Sequence, residues 1–159
     1  MANKNLFKAK DINNKEWLEG YVTGPHVQDT EEGIVSYYFS AIDEKESTCQ
    51  RIVSAQRIVS AKTVCQYTEL SACWYAFENE PQECDVWEHD LLEVYYEGKK
   101  VIAEVIYSMG MYILVSNEFA DSRIPLFDFI REEDGCFYVD AVHVGNVFDD
   151  SESVGFCKK

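Results

Sequence analysis

The chain has 159 residues and a formal net charge of −15, and it is 47% hydrophobic, 14% aromatic and 27% charged. So many aromatic and β-branched residues exclude a disordered polymer, and 8 Gly with 3 Pro exclude a collagen-like one. No run approaches the roughly 18–20 uninterrupted apolar residues of a membrane-spanning helix.

In chain order, residues 5–10 and 15–22 read as two short strands around the turn cluster Asp11-Ile12-Asn13-Asn14. Thr23-Gly24-Pro25 reads as the end of the second. Gln28 to Gly33 is a polar hairpin connection, and Ile34 to Ile42 is a strand apolar at nearly every position. After a turn over Asp43 to Ser47, Gln50-Arg51-Ile52-Val53-Ser54-Ala55 is repeated as Gln56-Arg57-Ile58-Val59-Ser60-Ala61. Two copies are too few for a solenoid, so the repeat lengthens a strand or its turn. Thr63 to Leu70 is a strand leading into a turn.

Residues 71–86 are the least β-like, and a short helix or an excursion loop fits them better than a strand. Regular alternation returns at Leu91 to Tyr96. The turn Glu97-Gly98-Lys99-Lys100 leads to the strand Val101 to Tyr107. Ser108-Met109-Gly110 turns the chain into Met111 to Val115. Arg123 to Ile130 is a short strand or helical turn, with Pro125 barred from a central ladder position. Glu132 to Gly135 turns again, and Cys136 to Phe148 is the last strand or two.

Strand-like runs at intervals of roughly 8–12 residues imply an all-β protein, β-rich with minor α. The expected organisation is an N-terminal β region over 1–70, an acidic excursion or insertion over 71–86, and an SH3-like β-barrel over 87–150 packed with the N-terminal strands. A loose tail spans 151–159.

Charge is unevenly placed. Residues 1–70 balance to −2 and residues 71–159 to −13. The window 71–98 has no Lys or Arg and carries Glu78, Glu80, Glu83, Asp85, Glu88, Asp90, Glu93 and Glu97. Phosphate backbones and anionic membranes both need cations, so direct nucleic-acid binding and membrane binding are not expected. The acids read either as a face imitating a polyanion for basic partners or as a solvated face that keeps the protein soluble.

The N-terminus lacks an apolar signal segment, so a reducing, cytoplasmic location is expected and the six cysteines are read as thiols. Their spacing has no C-x₂₋₄-C pair, and no metal or organic cofactor is expected. His89 and His143 read as surface residues.

Four segments carry a family signal. Phe7 to Asp11 and Glu16 to Tyr21 place a strand, a D-x-x-N-K turn and an aromatic strand at the start. Thr63-Val64-Cys65-Gln66-Tyr67-Thr68-Glu69-Leu70, Trp87-Glu88-His89-Asp90-Leu91-Leu92-Glu93-Val94 and Val144-Gly145-Asn146-Val147-Phe148-Asp149-Asp150 follow. In this order they resemble the "TVGQYTGL", "YEGDIVEV" and "IGNIYDN" elements of the YopX-like family of phage and prophage proteins. Glu69 and His89 stand where those elements have Gly, a residue that serves positive-φ turns. The resemblance implies a phage or prophage gene product of a bacterial cytoplasm, mostly β, with self-association and no catalytic residue to transfer. Tyr67, Asp90, Gly145 and Asn146 fall in these motifs and are read as structural.

No G-x-S-x-G, H-E-x-x-H, P-loop or G-x-G-x-x-G is present. Asp85, His89, Asp90, Asp128 and His143 make a carboxylate–histidine site only if folding gathers them. The expected function is a non-enzymatic protein-interaction or self-assembling module, with a protein partner or a homo-oligomer. The alternative is an acidic nucleic-acid mimic that blocks a host nucleic-acid-binding protein. In both, Trp74, Tyr75, Phe77, Glu78, Glu80, Glu83 and Asp85 are the candidate partner surface, an aromatic anchor with an acidic rim.

Overall fold

Alternating burial along short β-branched runs sets the architecture. The computed structural model describes residues 6–29, 31, 33–43, 52–75 and 81–149, with the backbone alone described at 43, 52–55, 73–75 and 81. Among these residues the regular structure is strand, interrupted by two 3₁₀ turns, so the chain is all-β. It divides at Tyr67/Thr68 into two units.

The first unit holds β1 (Phe7–Lys10), β2 (Trp17–Asp29), β3 (Gly33–Asp43), β4 (Ile52–Ser60), a 3₁₀ turn at Ala61–Thr63 and the start of β5 (Cys65–Tyr75). The strands pair antiparallel in the order β5-β1-β2-β3-β4. Thr23-Gly24-Pro25 does not end β2. Register shifts between Val22 and Gly24 and between Pro25 and Val27 carry the strand on to Asp29, because a bulge accommodates a proline that cannot donate to a regular ladder.

The sheet of this unit curls. Asp11, just past β1, bridges Val59 of β4, and the Ile12 N–H donates to the Ile58 carbonyl at 3.1 Å. Inside lie Ala9, Phe39, Ala41 and Val59, flanked by Phe7, Leu18, Val22, Tyr37 and Val64. Gly20 is required here: a Cβ would collide with the Ser40 carbonyl and the Phe39 ring on β3. The D-x-x-N-K turn has its own frame. Asp11 Oδ1 accepts the Asn13 N–H at 2.8 Å, its carbonyl accepts the Lys15 N–H at 3.0 Å, and Lys15 takes φ +63°.

The second unit continues β5 and adds β6 (Pro81–Trp87), β7 (Asp90–Tyr96), β8 (Lys99–Ser108), β9 (Met111–Val115), β10 (Arg123–Pro125), a 3₁₀ turn at Leu126–Phe129, β11 (Ile130–Glu133) and β12 (Cys136–Asn146). The path runs β10-β9-β8-β7-β12-β5, with β11 on β12 and β6 on β5. The β12–β5 pairing is parallel. Its core is built from Val86, Leu92, Val94, Val101, Val105, Leu114, Leu126 and Val139, with Ala72, Ala103, Phe119 and Ala141 between them. Each large aliphatic side chain buried in this way contributes on the order of 1.5–3 kcal/mol.

Two expectations for this half change. Among the described strands the ladder stays open instead of closing into the SH3-like barrel expected over 87–150. Pro125, which cannot donate to a further ladder, ends the edge strand β10 after three residues. Residues 71–75 and 81–87 are strands, not a helix or loop. Over residues 83–86 of β6 burial alternates: Glu83 and Asp85 are exposed, Cys84 is half-buried and Val86 is buried. Residues 76–80 and the tail 151–159 lie outside the described residues.

Candidate functional site

Two features of the second unit stand out, one buried and one exposed. The buried one is centred on Asp90, which is fully enclosed at the start of β7. Its Oδ2 accepts the Trp87 N–H at 2.8 Å and lies 3.2 Å from His143 Nε2. Its Oδ1 accepts Asn146 Nδ2 at 2.9 Å. Asn146, also buried, extends the network: its Oδ1 accepts the Phe148 N–H at 3.0 Å, and its own N–H donates to Asp149 Oδ2 at 3.0 Å. Gly145 is buried beside it, at a register shift of β12 against β7. Tyr67, in the first unit, donates its N–H to the Leu6 carbonyl at 3.0 Å.

The histidines are not simple surface residues. His89 sits in the turn before β7 at φ +66°, and its Nδ1 lies 2.7 Å from Glu104 Oε1. Its ring packs edge-on against Phe148 with centroids 5.3 Å apart. Its N–H donates to the Val105 carbonyl at 2.7 Å, and its carbonyl accepts the Val147 N–H at 3.0 Å. His143 reaches Asp90, so β12 turns this ring toward the buried carboxylate and away from open solvent. Of Asp85, His89, Asp90, Asp128 and His143, Asp90 and His143 meet, and Asp85 and Asp128 are exposed. Among the described residues no group of three or more His, Cys, Asp or Glu is arranged to hold a metal ion. Every buried side-chain polar atom described has a partner. Asp90 thus ties the backbone at Trp87, at the end of β6, to Asn146 at the end of β12.

Of the expected partner surface, Glu83 and Asp85 are exposed on β6. The side chains of Trp74 and Tyr75 and the whole of Phe77, Glu78 and Glu80 lie outside the described residues. The negative field near β6 is felt by Tyr138, whose phenol is raised above its ordinary pKa, first by the charge of Glu83 and also by Cys136 and Glu133.

The exposed feature is the tip of the β8–β9 hairpin. Three hairpins of this unit have two-residue turns with both central residues at positive φ: Glu97-Gly98, Met109-Gly110 and Asp134-Gly135. Such turns favour Asn, Asp or Gly at the first position. Met109 alone of the three is apolar, and it is 95% exposed. Tyr107 and Met111 beside it are about half exposed, and Tyr107 packs edge-on against Tyr112 at 5.1 Å. Glu88 lies at the base of the tip. Glu88 Oε1 accepts the Tyr107 N–H at 3.3 Å. The Tyr112 phenol is pushed up to about 12 by burial first, then by the charges of Glu88, Tyr107 and Glu69. In the sequence this segment reads only as a turn; the signal is that one of three X-Gly pairs carries a methionine.

A scan against protein-family models finds no match to the chain, and searches of curated proteins and of solved structures find none either.

Proposed function

We propose that the chain is a non-enzymatic, YopX-like protein of phage or prophage origin that works in the bacterial cytoplasm by binding another protein or by self-assembly. The observation that carries the interaction reading is Met109, an exposed apolar side chain on a left-handed backbone at a hairpin tip. Its side chain is almost entirely in water, and its backbone is left-handed, which costs a non-glycine residue roughly 1–2 kcal/mol. With the half-exposed Tyr107 and Met111, Met109 makes a small apolar patch of the kind found at contact surfaces, and methionine adapts to many partners. The family reading is supported by Glu69 and His89, at φ +65° and +66°, the two positions where the YopX-like elements have Gly. No helix of the described residues is long and apolar enough to cross a membrane.

The test is light scattering on the purified chain together with affinity capture of its partner from the bacterial host. A monomer that captures nothing overturns the reading.

The alternative, a nucleic-acid mimic, is favoured by the exposed Glu83 and Asp85 and by the negative field at Tyr138. Replacing Glu78, Glu80, Glu83 and Asp85 with Ser is expected to leave folding intact. If the mimic reading holds, the same change weakens binding to a basic partner and flattens its salt dependence. Unchanged affinity in that variant removes the mimic and leaves the interaction module.

A further inference from the structure

An antiparallel sheet with one face on a core normally presents polar side chains on the other. The sheet of the second unit departs from this. Cross-strand partners share a face, so the registers of β7 to β10 assign each side chain to one side. Leu92, Val94, Val101, Ala103, Val105 and Leu114 belong to the core. The opposite face carries Leu91, Ile102, Ile106, Met111, Ile113 and Val115, none of which packs in that core. Ile102 and Met111 are exposed and the other four are half-buried. We propose that this second face is covered by the same face of another copy of the chain, in a two-fold dimer. The proposal rests on the self-assembly reading above and names its surface and its partner.

Charge selects a second copy as the occupant. Residues 71–159 balance to −13, so most surfaces of two such units repel each other. On this face of β7 to β10 the charged residues are Glu93, Lys100, Glu104 and Arg123, which cancel. Glu93 is held by Lys100 at 2.8 Å and Glu104 by His89 at 2.7 Å. Arg123 is exposed at the β10 margin and makes no ion pair among the described residues.

The register gives the fit. Across the face one row reads Leu91, Glu104, Val115, Arg123, and the next reads Ile106, Ile113, Pro125. A two-fold axis along the strands, between β8 and β9, lays β8 on the partner's β9 and β10 on the partner's β7. Ile106 then meets the partner's Ile113, and Arg123 approaches the partner's Glu93, in the aligned packing usual for stacked sheets. Four strands over the length of β7 cover about 24 by 19 Å. With side chains in relief this is roughly 600 Å², the lower limit for one side of a stable interface. Association in the micromolar range is therefore expected.

Sedimentation velocity on the full chain over a concentration series tests this. The wild type is expected to reach a dimer and nothing larger, because a two-fold contact uses the same patch on both copies and closes. Ile113→Lys sets an unpaired charge in the middle of the contact and is expected to weaken it roughly a hundredfold. Arg123→Glu changes an exposed residue and spares the fold. It is expected to weaken the dimer about tenfold. Adding Glu93→Arg to it restores the pair with its signs reversed and returns most of the affinity. Thermal melting checks that each variant folds; should Ile113→Lys unfold, Ile102→Lys at a 43% exposed position replaces it.

A wild-type chain that stays monomeric, or that grows past the dimer, overturns the proposal. If the monomer still captures a host protein, the interaction reading survives without it. Dimers that persist in folded Ile113→Lys but vanish in Met109→Asn also overturn it and assign self-association to the hairpin tip. A double variant no tighter than Arg123→Glu alone overturns the two-fold pairing of Arg123 with Glu93.

Discussion

The Asn146 side-chain amide donates to Asp90 Oδ1 at 2.9 Å across 56 positions of chain, tying the end of β12 to the first residue of β7. Both groups are buried, so each is the other's replacement for water. Deleting Asn146 removes a donor to the buried Asp90 carboxylate and the side-chain acceptor of the Phe148 N–H. Deleting Asp90 removes the side-chain acceptor of the Trp87 N–H and of the Asn146 amide and the contact with His143. Asn146→Ala is expected to cost about 2 kcal/mol and Asp90→Ala about 3 kcal/mol or more. The double variant should lose less than the sum, because the two act as one unit. Urea unfolding of the three variants gives all three terms; strict additivity would show that the bond is not shared.

Glu69 and His89 have nearly the same backbone strain but different side-chain ties. Glu69 is exposed and left-handed, so Glu69→Gly is expected to raise stability by about 1 kcal/mol. His89→Gly relieves the same strain but forfeits the 2.7 Å contact with Glu104 and the packing on Phe148. It is expected to give no gain. Thermal melts of the two variants make the comparison; equal gains would mean that the His89 ring contributes nothing.

The raised Tyr112 phenol makes alkaline stability predictable in sign. Its protonated form is favoured in the fold, where it titrates near 12 instead of 10. The folded chain therefore holds this proton over a range in which the unfolded chain has released it. The corresponding stability is fully present below pH 10 and is lost as pH rises from 10 to about 12. Unfolding free energies measured across that window should fall less steeply in Tyr112→Phe than in the wild type. An identical slope would remove Tyr112 from the linkage.

Cys65, Cys84 and Cys136 carry thiols. Cys65 is buried and Cys136 is exposed, so a thiol reagent added to the native protein should modify Cys136 rapidly and Cys65 only after denaturation. The denatured, unreduced chain should titrate as six thiols. A count of four or fewer would contradict the reducing-compartment expectation.

How much of this was legible in the sequence depends on range. The hairpins at Glu97-Gly98 and Asp134-Gly135 follow from turn chemistry and flanking alternation, which are local. β2 outran its expected end because bulges, which depend on the partner strand β3, absorb Gly24 and Pro25. The excursion expected over 71–86 is strand at 71–75 and 81–86 because acid content masks the alternation there: Glu83 and Asp85 alternate with Cys84 and Val86 as a half-buried strand requires. The bond from Asn146 to Asp90 and the approach of His143 belong to the pairing of β12 with β7, which no local pattern encodes. Met109 is unusual only beside the two turns that share its geometry.

The arrangement of the second unit also implies an order of assembly. β7, β8 and β9 form a meander joined by two-residue turns, in which the ladder pairs residues close in sequence, Leu91 with Glu104 at the farthest. Those contacts need little loop closure and can form first. The β12–β7 ladder has to enclose everything between, and its entropy cost falls later on the pathway. In a denaturant chevron, Asn146→Ala should therefore raise the unfolding arm and leave the refolding arm nearly in place. Gly98→Ala, which strains a turn at φ +84°, should slow refolding. The meander is then the nucleus, and the buried Asp90–Asn146 bond is the latch that keeps the native state from opening.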